Sequence, residues 1–248
     1  MKIGLLGVGN IGATLARRLP TIGHDVKVAN SRGPETIDPD VLSSGARAVT
    51  AAEAVRDVDV VILSIPLAKL TDIAELLADL PEQVVVLDTS NYYPGRDGEI
   101  PALESGTPES VWVTEQIGRP VVKAWNAVGA GVFADEARPA GDPDRIGLPI
   151  AGDDDRAKQV AAGLVDDSGF DAVDAGSLAD SWRQQPGSPV YCTALPADEI
   201  PAALAAAEKD RLPRRRDIAG SAAVERFDGG RTAIDGDFLT RLNRVLYM

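Results

Sequence analysis

The sequence predicts an α/β protein built on a doubly wound, mainly parallel sheet with a small C-terminal cap. Three observations carry that expectation. Short β-rich runs alternate with helical patterns through the first two thirds of the chain, a glycine-rich turn joins the first strand to the first helix, and the alternation stops after Gly176. Such alternation implies parallel strands joined by right-handed crossovers.

The first strand is expected over residues 2–6. It runs straight into Gly7-Val8-Gly9-Asn10-Ile11-Gly12 and a helical pattern that continues to Leu19. A second strand, 25–29, closes the opening βαβ unit and ends in Asn30-Ser31-Arg32. Then come a short strand at 46–49, a helix at 51–55, a strand at 58–64, a helix at 68–80 and a strand at 84–88. Strands at 121–124, 148–151 and 170–174, with a helix at 155–168, complete the pattern. Past Gly176 the chain is rich in Ser, Gln, Pro and Gly, and short helices are expected at 197–209 and 237–246. Residues 177–248 hold few apolar side chains to bury alone, so they read as a cap or dimerisation region on a first domain of residues 1–176.

The opening turn has the spacing of a Rossmann-type dinucleotide site. Gly7 permits the tight strand-to-helix turn, Gly9 removes the Cβ that would hold the backbone away from a pyrophosphate, and Gly12 lets the helix pack closely on its strand. The helix N-terminus then offers free N–H donors and a partial positive charge to phosphate. An NAD site places Asp or Glu at the end of the second strand; here Asn30, Ser31 and Arg32 stand there instead. A guanidinium matches the 2′-phosphate of NADP in charge and planar geometry, so NADP(H) is the expected cofactor, with a solvated loop residue as the plainer reading of Arg32.

The composition narrows the class of partner. The chain has 248 residues, 44% of them hydrophobic, and a net charge of −13. An acidic surface argues against nucleic acid or an anionic membrane and in favour of a small-molecule substrate. No apolar run reaches membrane-spanning length and the first strand begins at Lys2, so a cytoplasmic protein is expected. The single cysteine, Cys192, reads as a packed small side chain.

Ligands of open α/β sheets lie outside the carboxyl ends of the strands. Those ends are Ser64-Ile65-Pro66, Thr89-Ser90-Asn91 and Trp125-Asn126-Ala127-Val128-Gly129. Ser64, Ile65 and Pro66 would pass under the nicotinamide ribose, and Asn126 with the backbone near Ala127 would fix the carboxamide. Pro66 also reads as a strand end, and Asn126 as the cap of a helix begun at Val128. His24, the only histidine, falls in a turn remote from these ends, so neither a histidine acid nor a histidine-ligated metal is expected. Lys123 lies in a buried strand without an evident partner. Alcohol chemistry needs a proton acceptor, whereas hydride exchange between two cofactors needs mainly alignment, and the second suits these residues better.

Gly7 to Gly12, Ala29-Asn30-Ser31-Arg32, Leu63-Ser64-Ile65-Pro66 and Lys123-Ala124-Trp125-Asn126 together resemble the NADP-binding domain of the coenzyme F420-dependent NADP oxidoreductases. The resemblance covers about residues 1 to 175. It implies NADP at the carboxyl edge of the sheet, a small C-terminal part closing the cleft, a homodimer, and direct hydride transfer between NADPH and a deazaflavin. Residues 91–98 and 174–187 depart from the typical deazaflavin enzyme and look like a bacterial side branch, which leaves a flavin or another planar acceptor open. Within the departures, Trp182 and Arg183 either clamp a planar substrate or cement the cap to the sheet. Two further functions stay in view: reduction of a small carbonyl or imine, with Asn126 or Lys123 polarising it, and a non-catalytic NADP(H) sensor. The run Lys209 to Arg216, expected between the two helices of the cap, is the candidate surface for an acidic acceptor.

Overall fold

Strands β1 (Lys2–Leu6), β2 (Asp25–Ala29), β3 (Arg47–Ala48), β4 (Val60–Leu63), β5 (Val85–Asp88) and β6 (Val122–Lys123) form one parallel sheet in the order β3-β2-β1-β4-β5-β6. This computed structural model describes residues 1–227 and 235–248. The strand order is that of a doubly wound fold, with its reversal between β1 and β4. Leu6 lies beside both Ala29 and Leu63, so the chain leaves β1, β2 and β4 at one common edge.

In chain order the helices of the first part are α1 (Asn10–Arg18), α2 (Ala51–Ala54), α3 (Ala74–Ala78), α4 (Pro94–Asp97), α5 (Pro101–Glu104), α6 (Glu109–Ile117), α7 (Ala130–Asp135) and α8 (Asp155–Asp167). They cover both faces. Leu5, Ile62 and Leu87 pack with Leu15 of α1 and Leu164 of α8, while Leu6, Leu63 and Val86 pack with Leu77 of α3 and Val113 of α6. Side chains of a strand alternate between faces, and every residue of β4 and β5 is buried, as a parallel sheet covered on both sides requires.

The structure corrects several expected elements. The seventh and eighth strands, β7 (Gly147–Ile150) and β8 (Asp171–Asp174), pair parallel in a small sheet of their own. An antiparallel bridge, Lys123 to Ala151, ties that sheet to β6. The helix expected at 68–80 is two 3₁₀ turns, Leu67–Lys69 and Thr71–Ile73, followed by the short α3. Thr71 Oγ1 donates to the Ala68 carbonyl there, a local bond that competes with the helical ladder.

Helices α4 and α5 begin on Pro94 and Pro101, residues that suit a first helical turn although they read as breakers. The cap follows the same rule. It holds α9 (Ile200–Ala205), shorter than expected, α10 (Leu212–Arg226) and α11 (Gly236–Tyr247). Helix α10 has Pro213 in its first turn and carries Arg214 to Arg216, so the basic run is helical where a connection was expected. Val190, Leu195, Ile200 and Leu204 pack against Val173 and Ala175, and Tyr191, Ala219 and Tyr247 against Ala127.

Candidate active site

The turn after β1 is shaped from behind by the protein and from the front by open space. Gly7 has φ +104°, donates its N–H to Ala29 O at 2.8 Å, and would drive a Cβ to 2.1 Å from the Ser64 carbonyl oxygen. Only glycine fits there. Gly9 caps α1 with φ −69° and ψ −172°, a conformation open to any residue, and a Cβ there meets nothing within 4 Å. The bare backbone at Gly9 answers no demand of the fold. Together with the first N–H groups of α1, which no side chain caps, it forms a concavity that fits a pyrophosphate.

The end of β2 fits the rest of the nucleotide. Asn30 Oδ1 accepts the Arg32 N–H at 3.0 Å and Nδ2 donates to Thr36 Oγ1 at 2.9 Å, which fixes the loop. Ser31 and Arg32 stand exposed above it, and among the described residues the Arg32 guanidinium makes no hydrogen bond or ion pair. An exposed, uncommitted guanidinium suits a phosphate.

A cleft of about 530 Å³ opens along the carboxyl edge. Its floor comes from Gly9, Asn10 and Ile11 after β1, Ser64, Ile65 and Pro66 after β4, and Thr89, Ser90 and Asn91 after β5. Helices α10 and α11 roof it with Ala219, Ala223, Leu239 and Thr240. Ser90 is buried, and its Oγ on the cleft wall has no hydrogen-bond partner in the structure, so a ligand there would satisfy it.

Other expected residues lie behind this surface. Asn126 is 2% exposed: its Nδ2 donates to Asn91 Oδ1 at 3.1 Å and to the Gln184 carbonyl at 2.7 Å, while its Oδ1 accepts from Gln184 Nε2 at 2.9 Å. Its amide is fully engaged in joining β6 to the cap. Ala127 accepts the Cys192 N–H at 2.8 Å through its carbonyl. Lys123, fully buried, donates to Ser90 O, Glu109 Oε2 and Ser110 Oγ, so the partner not evident in the sequence is Glu109, three residues' worth of bonds that use all its protons. Burial pushes the Glu109 carboxyl up against the pull of that ammonium. Asp88 completes the knot, accepting from Ser110 Oγ at 2.6 Å and from the Ser90 N–H.

Trp182 and Arg183 lie away from the cleft. The Arg183 guanidinium stacks 4.4 Å from the Trp182 ring centre and donates to the Leu204 carbonyl, which fastens this segment to α9. His24 pairs with Asp167 at 2.9 Å in the turn before β2.

The sequence reading missed the far half of the cleft. Tyr93 and Tyr191 place their hydroxyls 2.7 Å apart on its wall, with Tyr247 and Cys192 beside them. Three of the four tyrosines and the only cysteine thus converge. Burial pushes all three phenols above their usual range and the Cys192 thiol up to about 12. Arg96 and Arg216 also face this half. Arg216 is buried, donates through Nε to Asp217 at 2.8 Å, and lies 5.3 Å from the centre of the Tyr92 ring. Helix α11 holds the adjoining loop by its backbone: Asn243 Nδ2 reaches the carbonyls of Tyr191 and Cys192 at 3.4 and 3.5 Å, and Arg244 those of Thr193 and Ala194 at 2.7 and 2.9 Å. Cys192 and Ala194 have φ of +55° and +50°. Segment 91–98 was the available signal, since it departs from the family pattern and supplies Tyr93 and Arg96; Tyr191 and Tyr247 carried none.

The family model described as NADP oxidoreductase, coenzyme F420-dependent, matches residues 2–92. A solved structure from Sinorhizobium meliloti, the hypothetical protein SMa0349, is 32% identical, with a TM-score of 0.66 over 77% of this chain and 92% of that one. A protein of Arthrobacter sp. FB24 assigned as an F420-dependent NADP-reductase is 25% identical, with a TM-score of 0.56 over 73% of this chain and 87% of its own. The chain belongs to the family of coenzyme F420-dependent NADP oxidoreductases. The protein YjhV of Escherichia coli (strain K12) is 50% identical over 62 residues, 25% of this chain and 45% of YjhV, so the match spans less than half of that curated relative.

The match to the family model stops at Tyr92, one residue short of Tyr93. It takes in the turn at Gly9, the end of β2 and the 64–66 floor, the parts that fit NADP(H). Tyr93, Arg96, Tyr191 and Arg216 lie beyond it.

Proposed function

We propose that this chain transfers a hydride between NADP(H) and a planar acceptor, a deazaflavin of the coenzyme F420 kind or a flavin. The observation that carries the reading is the continuity of one cleft, from the bare backbone at Gly9 to a second half walled by Tyr93, Tyr191 and Arg216. NADPH supplies the hydride when bound. The chain contributes alignment: Gly9 and the start of α1 hold the pyrophosphate, Arg32 the 2′-phosphate, and residues 64–66 the floor beneath the ribose. The carboxamide contact expected of Asn126 falls instead to neighbouring backbone and Ser90, because the Asn126 amide is already engaged. Helices α10 and α11 roof the cleft and reduce its contact with solvent.

A small carbonyl or imine substrate is the second reading, favoured by the paired hydroxyls of Tyr93 and Tyr191, which can polarise a C=O or C=N bond. A sensor of NADP(H) would have no use for this second half. A cytoplasmic homodimer belongs to the same proposal. It draws on the family resemblance and on the exposed Val224, Val245 and Met248, and light scattering reads the mass directly. Among the described residues no helix is long and apolar enough to cross a membrane.

The test is NADPH oxidation by the purified chain with coenzyme F420, FMN, riboflavin, a quinone and a cyclic imine. Turnover with the planar acceptors supports the main reading, and turnover with the imine alone supports the second. Oxidation no faster with any acceptor than without one would refute both.

A further inference from the structure

The geometry points to an acceptor that sets the heteroatom receiving its electron pair on the Tyr93–Tyr191 hydroxyls and an anionic substituent on Arg216. This rests on the hydride-transfer reading and adds to it the residues that touch the second substrate. In a pair of hydroxyls 2.7 Å apart one O–H is spent on the other, which leaves one proton for a further acceptor. Tyr93 comes from the segment after β5 and Tyr191 from the loop that α11 holds, so two separately anchored pieces of chain aim the pair. The loop keeps Cys192 at φ +55°, a strained conformation for a side chain, immediately beside Tyr191. Raised phenol pKa values keep both tyrosines protonated, so they act as donors to charge and do not surrender their protons.

The transfer balances with these groups. The hydride leaves NADPH as its C–H bond breaks, giving NADP⁺, and forms a C–H bond at C5 of a deazaflavin or an N–H bond at N5 of a flavin. The acceptor's π pair moves onto its conjugated heteroatom, the remaining O–H of the pair stabilises that charge, and solvent supplies the proton afterwards. Arg216 lines the same cleft. Its guanidinium is buried, yet its carboxylate partner Asp217 is 62% exposed, so it retains charge for a second anion. Of the basic run, Arg215 pairs with Glu208 at 3.1 Å and Arg214 faces outward, so Arg216 is the member placed to meet a substrate.

FMN and riboflavin separate the two contacts, because they share a reducible ring and differ by a phosphate. In Arg216→Gln the KM for FMN should rise tenfold or more while that for riboflavin changes less than threefold. In Tyr93→Phe, Tyr191→Phe and the double variant, kcat should fall with both flavins, at least a hundredfold in the double variant. NADPH affinity by fluorescence titration and the melting temperature should stay near native, which excludes misfolding as the cause. Equal KM changes for the two flavins in Arg216→Gln would overturn the anion contact. Unchanged kcat in the double Phe variant would overturn the hydroxyl contact. If the native chain oxidises NADPH with neither flavin nor coenzyme F420, the hydride-transfer reading falls and this inference with it.

Discussion

Replacing Gly9 and Gly12 by alanine, one at a time, separates what the fold demands from what a ligand demands. A Cβ at Gly12 lies 2.1 Å from the Gly7 carbonyl oxygen and 3.1 Å from Ser64 Oγ. Helix α1 would have to move by about 1 Å to restore ordinary contact, and overpacking of that kind costs about 1–3 kcal/mol. In a chain of this length that lowers Tm by about 2–12 °C. A Cβ at Gly9 meets nothing, and its φ of −69° suits alanine, so Gly9→Ala should leave stability within about 1 kcal/mol of native. Binding should respond in the opposite way. Pushing the pyrophosphate off the α1 N-terminus forfeits hydrogen bonds to a charged group at about 1.5–3 kcal/mol each. Losing two weakens NADPH by about 3–6 kcal/mol, or about a hundredfold to ten-thousandfold. Thermal melts by circular dichroism and NADPH fluorescence titrations read the two quantities. Native-like NADPH affinity in Gly9→Ala, or a Tm as low as that of Gly12→Ala, would refute the reasoning.

Arg32→Ala should weaken NADPH by about 1.5–3 kcal/mol and leave NADH nearly unchanged, since only NADPH carries the 2′-phosphate; calorimetric titration of both coenzymes checks it. Asn126→Ala should act on stability and leave coenzyme affinity alone. It strands buried groups of Gln184 at about 1–3 kcal/mol each, read by urea unfolding, and a selective loss of NADPH binding would instead return the side chain to the carboxamide. Tyr191 and Tyr247 are 7% and 2% exposed with raised pKa values. Above about pH 10 the unfolded chain releases these protons while the folded chain keeps them. Their contribution, fully present below pH 10, is therefore lost with rising pH at about 1.4 kcal/mol per unit for each group. Urea midpoints measured up to pH 11 should show the decline, shallower in Tyr191→Phe, and a flat profile would contradict it.

The eight strands were legible because β-branched and leucine-rich runs repeat between helical segments, and the Gly7–Gly12 spacing announced the turn. What escaped was set by tertiary context. Pro94, Pro101 and Pro213 signal a break when read along the chain, yet each sits in a first helical turn, where its missing N–H has no consequence. The role of Asn126 was equally beyond sequence, because its partners stand at residues 91 and 184. The Tyr93–Tyr191 pair spans 98 residues, and a hydroxyl pair leaves no periodicity or spacing to detect.

The grip of α11 on residues 191–194 bears on how this site can change. Asn243 and Arg244 hold carbonyl oxygens, groups every amino acid possesses, and so they fix the path of the loop without constraining its side chains. Thr193 is fully buried and donates to the Pro189 carbonyl, so exchange falls to residue 191, at the cost of its bond to Tyr93, and to Cys192 and Ala194, with side chains that tolerate their left-handed backbone. The nucleotide floor, built on β1 and β4, takes no part in such exchanges. Acceptor preference in this architecture can therefore drift, or be engineered, through a few loop positions on an unchanged NADP(H) platform.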